Sequence, residues 1–235
     1  MGRGGYKSVA SPMEENFSPF PRVCQASILI GKIMSHHHGP PINSETAKFG
    51  LATQLYIDVR NLARKIDEEA ASSKDFLAFA SPLALSYTAL CLLCEVYSCP
   101  EKDCNVTKTS LSPEAVEMRL QSIDGLKTVS RSIVEFADKI VEATSTPESM
   151  DRLSPMILDS LYCAASTYAW VVRESGDEES QKALDRLRSC LKKLGTKWRC
   201  AAEYLRILEA QEVCACVSSL DSLAVGSPQK RRKLM

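Results

Sequence analysis

Phe76-Leu77-Ala78-Phe79-Ala80-Ser81-Pro82-Leu83-Ala84-Leu85-Ser86-Tyr87-Thr88-Ala89-Leu90-Cys91-Leu92-Leu93-Cys94 runs for nineteen residues without a charge. That is close to the ~20 apolar residues that cross a bilayer, so a membrane span and a buried core helix have to be told apart. Pro82 and the hydroxyls of Ser81, Ser86, Tyr87 and Thr88 interrupt the run. Ser81-Pro82 also reads as a helix start, with Ser as N-cap and Pro in the first helical position. A helix beginning there is too short in its uncharged part to span a membrane. The spacing predicts a helix from Pro82 to about Tyr97, apolar nearly all round, against which the other helices pack.

Working towards the N-terminus, Asn43 or Ser44 caps a preceding helix and Glu45 complements its positive end. Ala52, Leu55, Val59, Leu62 and Ile66 recur there at helical spacing, and Asp67-Glu68-Glu69 with Ser72-Ser73 closes the segment. Before it, Val23, Ser27, Ile30 and Met34, with Ala26 and Ile33 beside them, predict a first helix that begins after Pro21 and stops at Gly39-Pro40-Pro41. Residues 1–20 read as a mobile lead-in rich in Gly, Ser and Pro.

Towards the C-terminus, Ser112-Pro113 opens a long fourth helix, or two broken near Gly125. Its apolar positions are Val116, Leu120, Ile123, Val129, Ile133, Phe136 and Ile140. A polar loop over residues 144–154 leads to a second Ser-Pro start at Ser154-Pro155, followed by Leu158, Leu161, Ala165, Tyr168 and Val172. A sixth helix holds Leu184, Leu187, Leu191 and Leu194 behind Asp177-Glu178-Glu179, and a seventh runs from about Lys197 to Val217. Strand-like alternation is absent, and no repeat of solenoid length recurs. The expected fold is all-α: about seven helices packed as hairpins around one core over residues 21–217, followed by a polar tail over 218–235.

The 235 residues, 45% of them apolar, supply one core without metal or disulfide staples. Lysine and arginine number 29 and so do aspartate and glutamate, so no net charge draws the chain to nucleic acid. Ten cysteines fall mostly in apolar runs and imply a reducing compartment. The N-terminus lacks the apolar stretch of a secretory signal and the myristoylation pattern.

Cys91, Cys94, Cys99 and Cys104 are the one cluster that suggests a metal, since four thiolates hold Zn²⁺ tetrahedrally. Two of them sit in the apolar helix with no cation near, where free cysteine is a small buried hydrophobe, so no metal site is expected. His36-His37-His38 are consecutive and therefore splay around the helix end. They read as solvated imidazoles favoured by the negative end of the helix. They are also the only histidines, no nucleophile elbow accompanies them, and phosphate-cradling glycine patterns are missing. Asp67-Glu68-Glu69 and Asp177-Glu178-Glu179 read as solvated helix caps rather than as carboxylates for Mg²⁺. No active site and no cofactor are expected. Lys230-Arg231-Arg232-Lys233, behind Gly226-Ser227-Pro228, reads as a nuclear-import signal.

Three stretches resemble one family. Ser18-Pro19-Phe20-Pro21-Arg22-Val23-Cys24-Gln25-Ala26-Ser27, continuing through Ile28 to His36, looks like the opening of the last part of the regulatory region in fungal zinc binuclear cluster transcription factors. Ala80-Ser81-Pro82-Leu83-Ala84-Leu85-Ser86-Tyr87-Thr88-Ala89-Leu90 is similar to the helix that follows there, and residues 198–210 resemble its closing helix. In the closing helix Trp198, Ala201, Leu205 and Leu208 share a face, while Glu203 and Arg206 are spaced to pair. The family's DNA-binding module needs two Cys-x-x-Cys-x6-Cys halves, whereas this sequence has a single Cys-x-x-Cys within an apolar helix, so DNA binding is not implied. The resemblance implies a regulatory domain that works in the nucleus through protein partners of the transcription machinery, self-association or a small-molecule effector. An isolated regulatory half would expose an apolar patch. The competing expectation is a helical enzyme or metal-binding domain built on Cys91, Cys94, Cys99 and Cys104, and a third is a membrane-associated protein.

Overall fold

A computed structural model describes residues 18–40, 42, 44–98 and 112–211. Among the described residues every regular element is helical. In chain order they are α1 (Pro19–His38), α2 (Glu45–Ser73), α3 (Phe76–Ser98), α4 (Pro113–Ala143), the single turn α5 (Pro147–Asp151), a 3-10 turn (Pro155–Ile157), α6 (Leu158–Ser175) and α7 (Glu178–Leu194). A last helix, α8, covers 199–211. One cluster of buried apolar side chains joins the seven longer helices. The all-α expectation is met.

α3 is the hub, in contact with α1, α2, α4 and α6. It is longer than the sequence suggested. Asp75, not Ser81, caps it by accepting a hydrogen bond from the Ala78 N–H at 3.3 Å, and Pro82 lies inside the helix. A proline supplies no N–H for the usual helical bond. The Ser86 hydroxyl donates to the Pro82 carbonyl at 2.9 Å from within the same helix. By length and composition alone α3 could cross a membrane, but about two-thirds of its most apolar window is buried inside the fold. Its side chains are taken up by the neighbouring helices.

α2 and α4 lie on α3 in the same direction, tied at their starts by Ser112 to Glu45 at 2.8 Å and near their ends by Lys139 to Asp67 at 3.3 Å. α4 is continuous through Gly125, because the position without a side chain is an approach point and not a break. A Cβ there would stand 2.9 Å from Cys94 Sγ and 3.2 Å from the Tyr56 ring. α6 and α7 form a hairpin, turned by Gly176 at φ 65° and restarted by the Asp177 carboxylate, which accepts from the Ser180 N–H at 2.8 Å. The supposed loop over 144–154 contains α5, started by a reciprocal cap between Thr146 and Ser149.

Candidate functional site

The expected stripes hold on α2, where Ala52, Leu55, Val59, Leu62 and Ile66 are all buried, and on α7, where Leu184, Leu187, Leu191 and Leu194 are. On α8, Ala201 and Leu208 are buried with Trp198 and Leu205 against the core, and Arg206 pairs with Glu203 at 3.1 Å. On α1 the core face is rotated from the centre of the expected stripe. It is Arg22, Gln25, Ala26, Leu29 and Ile33; of the expected positions Ala26 and Ile33 are buried, Val23 and Ile30 are half-buried with Ile30 packed against the core, and Ser27 and Met34 are exposed.

The reason is a buried ion pair. The Arg22 guanidinium is wholly inaccessible and donates to both carboxylate oxygens of Glu69, at 2.8 and 2.6 Å, and to Gln25 Oε1 at 2.7 Å. This places the α1 start against the α2 end and fixes the rotation of α1. Glu69 therefore belongs to the core, and its neighbours Asp67 and Glu68 pair with Lys139 and Arg64. Of the first acidic triplet only Glu69 is buried, while Asp67 and Glu68 are solvated as expected, each in a surface ion pair. The second is a cap, as expected, and its hydrogen bonds from Ser180 hold the Asp177 carboxyl below the usual carboxylate range.

The outer face of α1 is the candidate site. Phe20 is 74% exposed, Ile28 and Met34 are exposed along the same side, and Gly31 between them has open space where a side chain would project. Lys32 is the only exposed Asp, Glu, Lys or Arg in the helix, and no carboxylate occurs on it. Comparable exposure marks the first turns of α4, where Val116 and Leu120 face solvent and Met118 points inward instead.

At its C-terminal end α1 meets α2 and α3. His36 Nε2 lies 2.5 Å from the Tyr97 hydroxyl, Phe49 packs edge-on against the Tyr97 ring, and the Lys48 ammonium sits over it. His38 is exposed, as expected of a solvated helix end, but His36 and His37 are partly buried. Burial, reinforced by Lys48, lowers the His36 pKa, and burial with the neighbouring His36, His38 and Lys48 brings His37 down to about 4. His36 Nδ1 and His37 Nε2 are buried without a hydrogen-bond partner, as suits neutral rings in a corner closed by Tyr97.

The cysteines disperse. Cys94 faces Gly125 of α4, whereas Cys91, fully buried on the same helix, is influenced by Cys163 of α6, so the two helix thiols have different neighbours. Burial raises the Cys94 thiol to about 12, and the Cys163 thiol together with burial pushes Cys91 well above the ordinary range, opposite to what a metal ligand needs. Cys99 and Cys104 lie outside the described residues, among which no group of three or more His, Cys, Asp or Glu side chains is placed to hold a metal. Lys230, Arg231, Arg232 and Lys233 also lie outside them, as do residues 1–17 of the lead-in.

A cleft of about 180 Å³ opens between α2 and α4 over α3. Its wall carries Tyr56 and Arg60 of α2, Tyr87 of α3, and Thr128 and Ser132 of α4. Burial, with Asp67 and Glu135 nearby, raises the Tyr87 phenol, which stays a neutral hydroxyl throughout the physiological range. Searches against protein-family models, curated proteins and solved structures find no match to this chain.

Proposed function

We propose that this chain is a helical regulatory module of the kind found in the C-terminal part of fungal zinc-cluster transcription factors, acting in the nucleus by protein contact. The observation that supports the reading is the outward apolar face of α1, formed by Phe20, Ile28 and Met34, on the first of the three segments that carry the resemblance. The other two segments fall on α3 and α8. Together the three would set a rigid hub under a docking helix. A protein of the transcription machinery, or another regulatory half-domain, would cover the face, removing from water side chains that favour burial at about 25 cal/mol per Å². The proposed role does not use direct contact with DNA. The α2–α4 cleft favours a second, subordinate reading, a small polar effector held by the Tyr56 and Tyr87 hydroxyls and the Arg60 guanidinium.

The full chain fused to a heterologous DNA-binding domain tests the proposal. A reporter bearing that domain's site should change its expression, and Phe20→Asp with Ile28→Asp should abolish the change while the helical circular dichroism and its melt are kept. A reporter blind to the fusion sinks the reading. Fluorescent tagging tests the compartment: nuclear signal should disperse when Lys230, Arg231, Arg232 and Lys233 are all replaced by Ala.

A further inference from the structure

Three helices wall the cleft of about 180 Å³ between α2 and α4. On α2, Tyr56, Arg60 and Arg64 follow one another at intervals of four residues, so they stand a turn apart along one face. Gly125 of α4 shapes the end of the cleft at Tyr56. A Cβ at that glycine would stand 3.2 Å from the Tyr56 ring and 3.5 Å from its hydroxyl, so the missing side chain is what lets the phenol lie against the α4 backbone. Ala63, Leu90 and Val129 give the cleft a buried apolar floor. The Tyr56 and Tyr87 hydroxyls make no hydrogen bond among the described residues.

Two of the three charges on the wall are already answered. Arg64 donates to Glu68 at 2.5 Å, and Asp67 accepts from Lys139 at 3.3 Å. Arg60 enters no ion pair among the described residues. Asp124 and Glu135, which act on the two phenols from outside the wall, are exposed and make the surroundings unfavourable to a dianion. What stays uncommitted is one guanidinium, two phenol hydroxyls and an apolar floor. We infer that the cleft binds a compact monocarboxylic acid built on a single ring, of benzoate's size, with Arg60 as the partner of its carboxylate. A guanidinium presents parallel N–H donors that match a carboxylate, and Tyr56, one turn earlier on the same face, adds an O–H donor. The ring rests on Ala63, Leu90 and Val129, and Tyr87 on the hub helix meets its polar substituent. A cavity of about 150 Å³ holds one benzene ring, so the volume here admits a ring with its carboxylate and little more. Inorganic phosphate would leave the apolar floor unused, and an amine would face Arg60. The inference rests on the second reading above, that this cleft holds an effector.

Calorimetric titration of the purified full chain with benzoate tests it, with benzyl alcohol, benzylamine and inorganic phosphate as the other probes. Benzoate should bind with a dissociation constant below about 1 mM, and the other three at least about tenfold more weakly. Arg60→Gln should weaken benzoate at least about tenfold, and Tyr56→Phe by several-fold. Arg60 is exposed and Tyr56→Phe keeps its ring, so both variants should retain the wild-type helical circular dichroism and melt. Arg131→Gln, exposed on α4 away from the wall, should bind as the wild type does. Benzoate held equally well by Arg60→Gln and the wild type overturns the inference. Benzyl alcohol or phosphate binding more tightly than benzoate, and losing that binding in Tyr56→Phe, overturns the carboxylate while the effector reading stands. If none of the four probes binds, both fall.

Discussion

Arg22 occupies a position that its type rarely holds: fully inside, with its charge answered by Glu69 from a helix 47 positions on. Removing one partner strands the other charge in the core, and such half-broken pairs cost about 3 to 5 kcal/mol. Arg22→Met should therefore lower the urea midpoint strongly. Arg22→Met combined with Glu69→Leu should recover most of the loss, since an apolar pair of similar volume replaces a buried ion pair at little net cost. The histidine corner gives the second expectation at this scale. Both His36 and His37 have folded pKa values below the ordinary 6.5, so the unfolded chain binds more protons once the pH falls below that value. Stability should hold above 6.5 and drain away as the pH drops towards about 4, the folded value for His37. Denaturant titrations at a series of pH values would show it, and His37→Gln should flatten the slope.

At the scale of elements, the rotation of α1 separates substitutions that sit side by side in sequence. Phe20→Ser with Ile28→Ser should change stability by no more than about 0.5 kcal/mol per site, as exposed substitutions do. Ile33→Ala, on the inner face, should cost about 2 to 5 kcal/mol. Gly125→Ala gains about 1 kcal/mol of helix propensity. It also drives a methyl to 2.9 Å from the Cys94 sulfur, an overpacking worth about 1 to 3 kcal/mol, so the net effect in thermal melts should be a loss. The contrast explains what could be read without a structure. α2, α7 and α8 carry one apolar stripe each, and one stripe can only face the core. α1 and the first half of α4 carry two, and periodicity has no means of ranking them. In α1 the deciding signal was a buried arginine whose partner lies on the next helix. Pro82 misplaced the start of α3 because a proline fits a first turn so well that its presence in the seventh position went unread. Capping serines at Ser44, Ser112 and Ser154 and the capping Asp177 were legible because their chemistry is local. Of the outer face of α1 only Met34 belonged to the stripe legible in the sequence, and Phe20 and Ile28 fall outside its spacing.

Across the whole molecule, a single apolar cluster threaded through seven helices ties the first and last described elements to one hub. Unfolding should be one cooperative transition, with circular dichroism and Trp198 and Trp170 fluorescence coinciding in a denaturant titration. The hub also has a temporal side. α3 is the most apolar element and is synthesised before α4 and α6, which cover much of it, so a growing chain holds only α1 and α2 to shield it. At about 5 to 20 residues per second the ribosome needs a few seconds to deliver α4, and the greasiest surface of the protein stays open for that interval. Holdase chaperones that grip the nascent chain should therefore be found crowded over a narrow codon window, just after α3 has cleared the exit tunnel and before α4 has followed it.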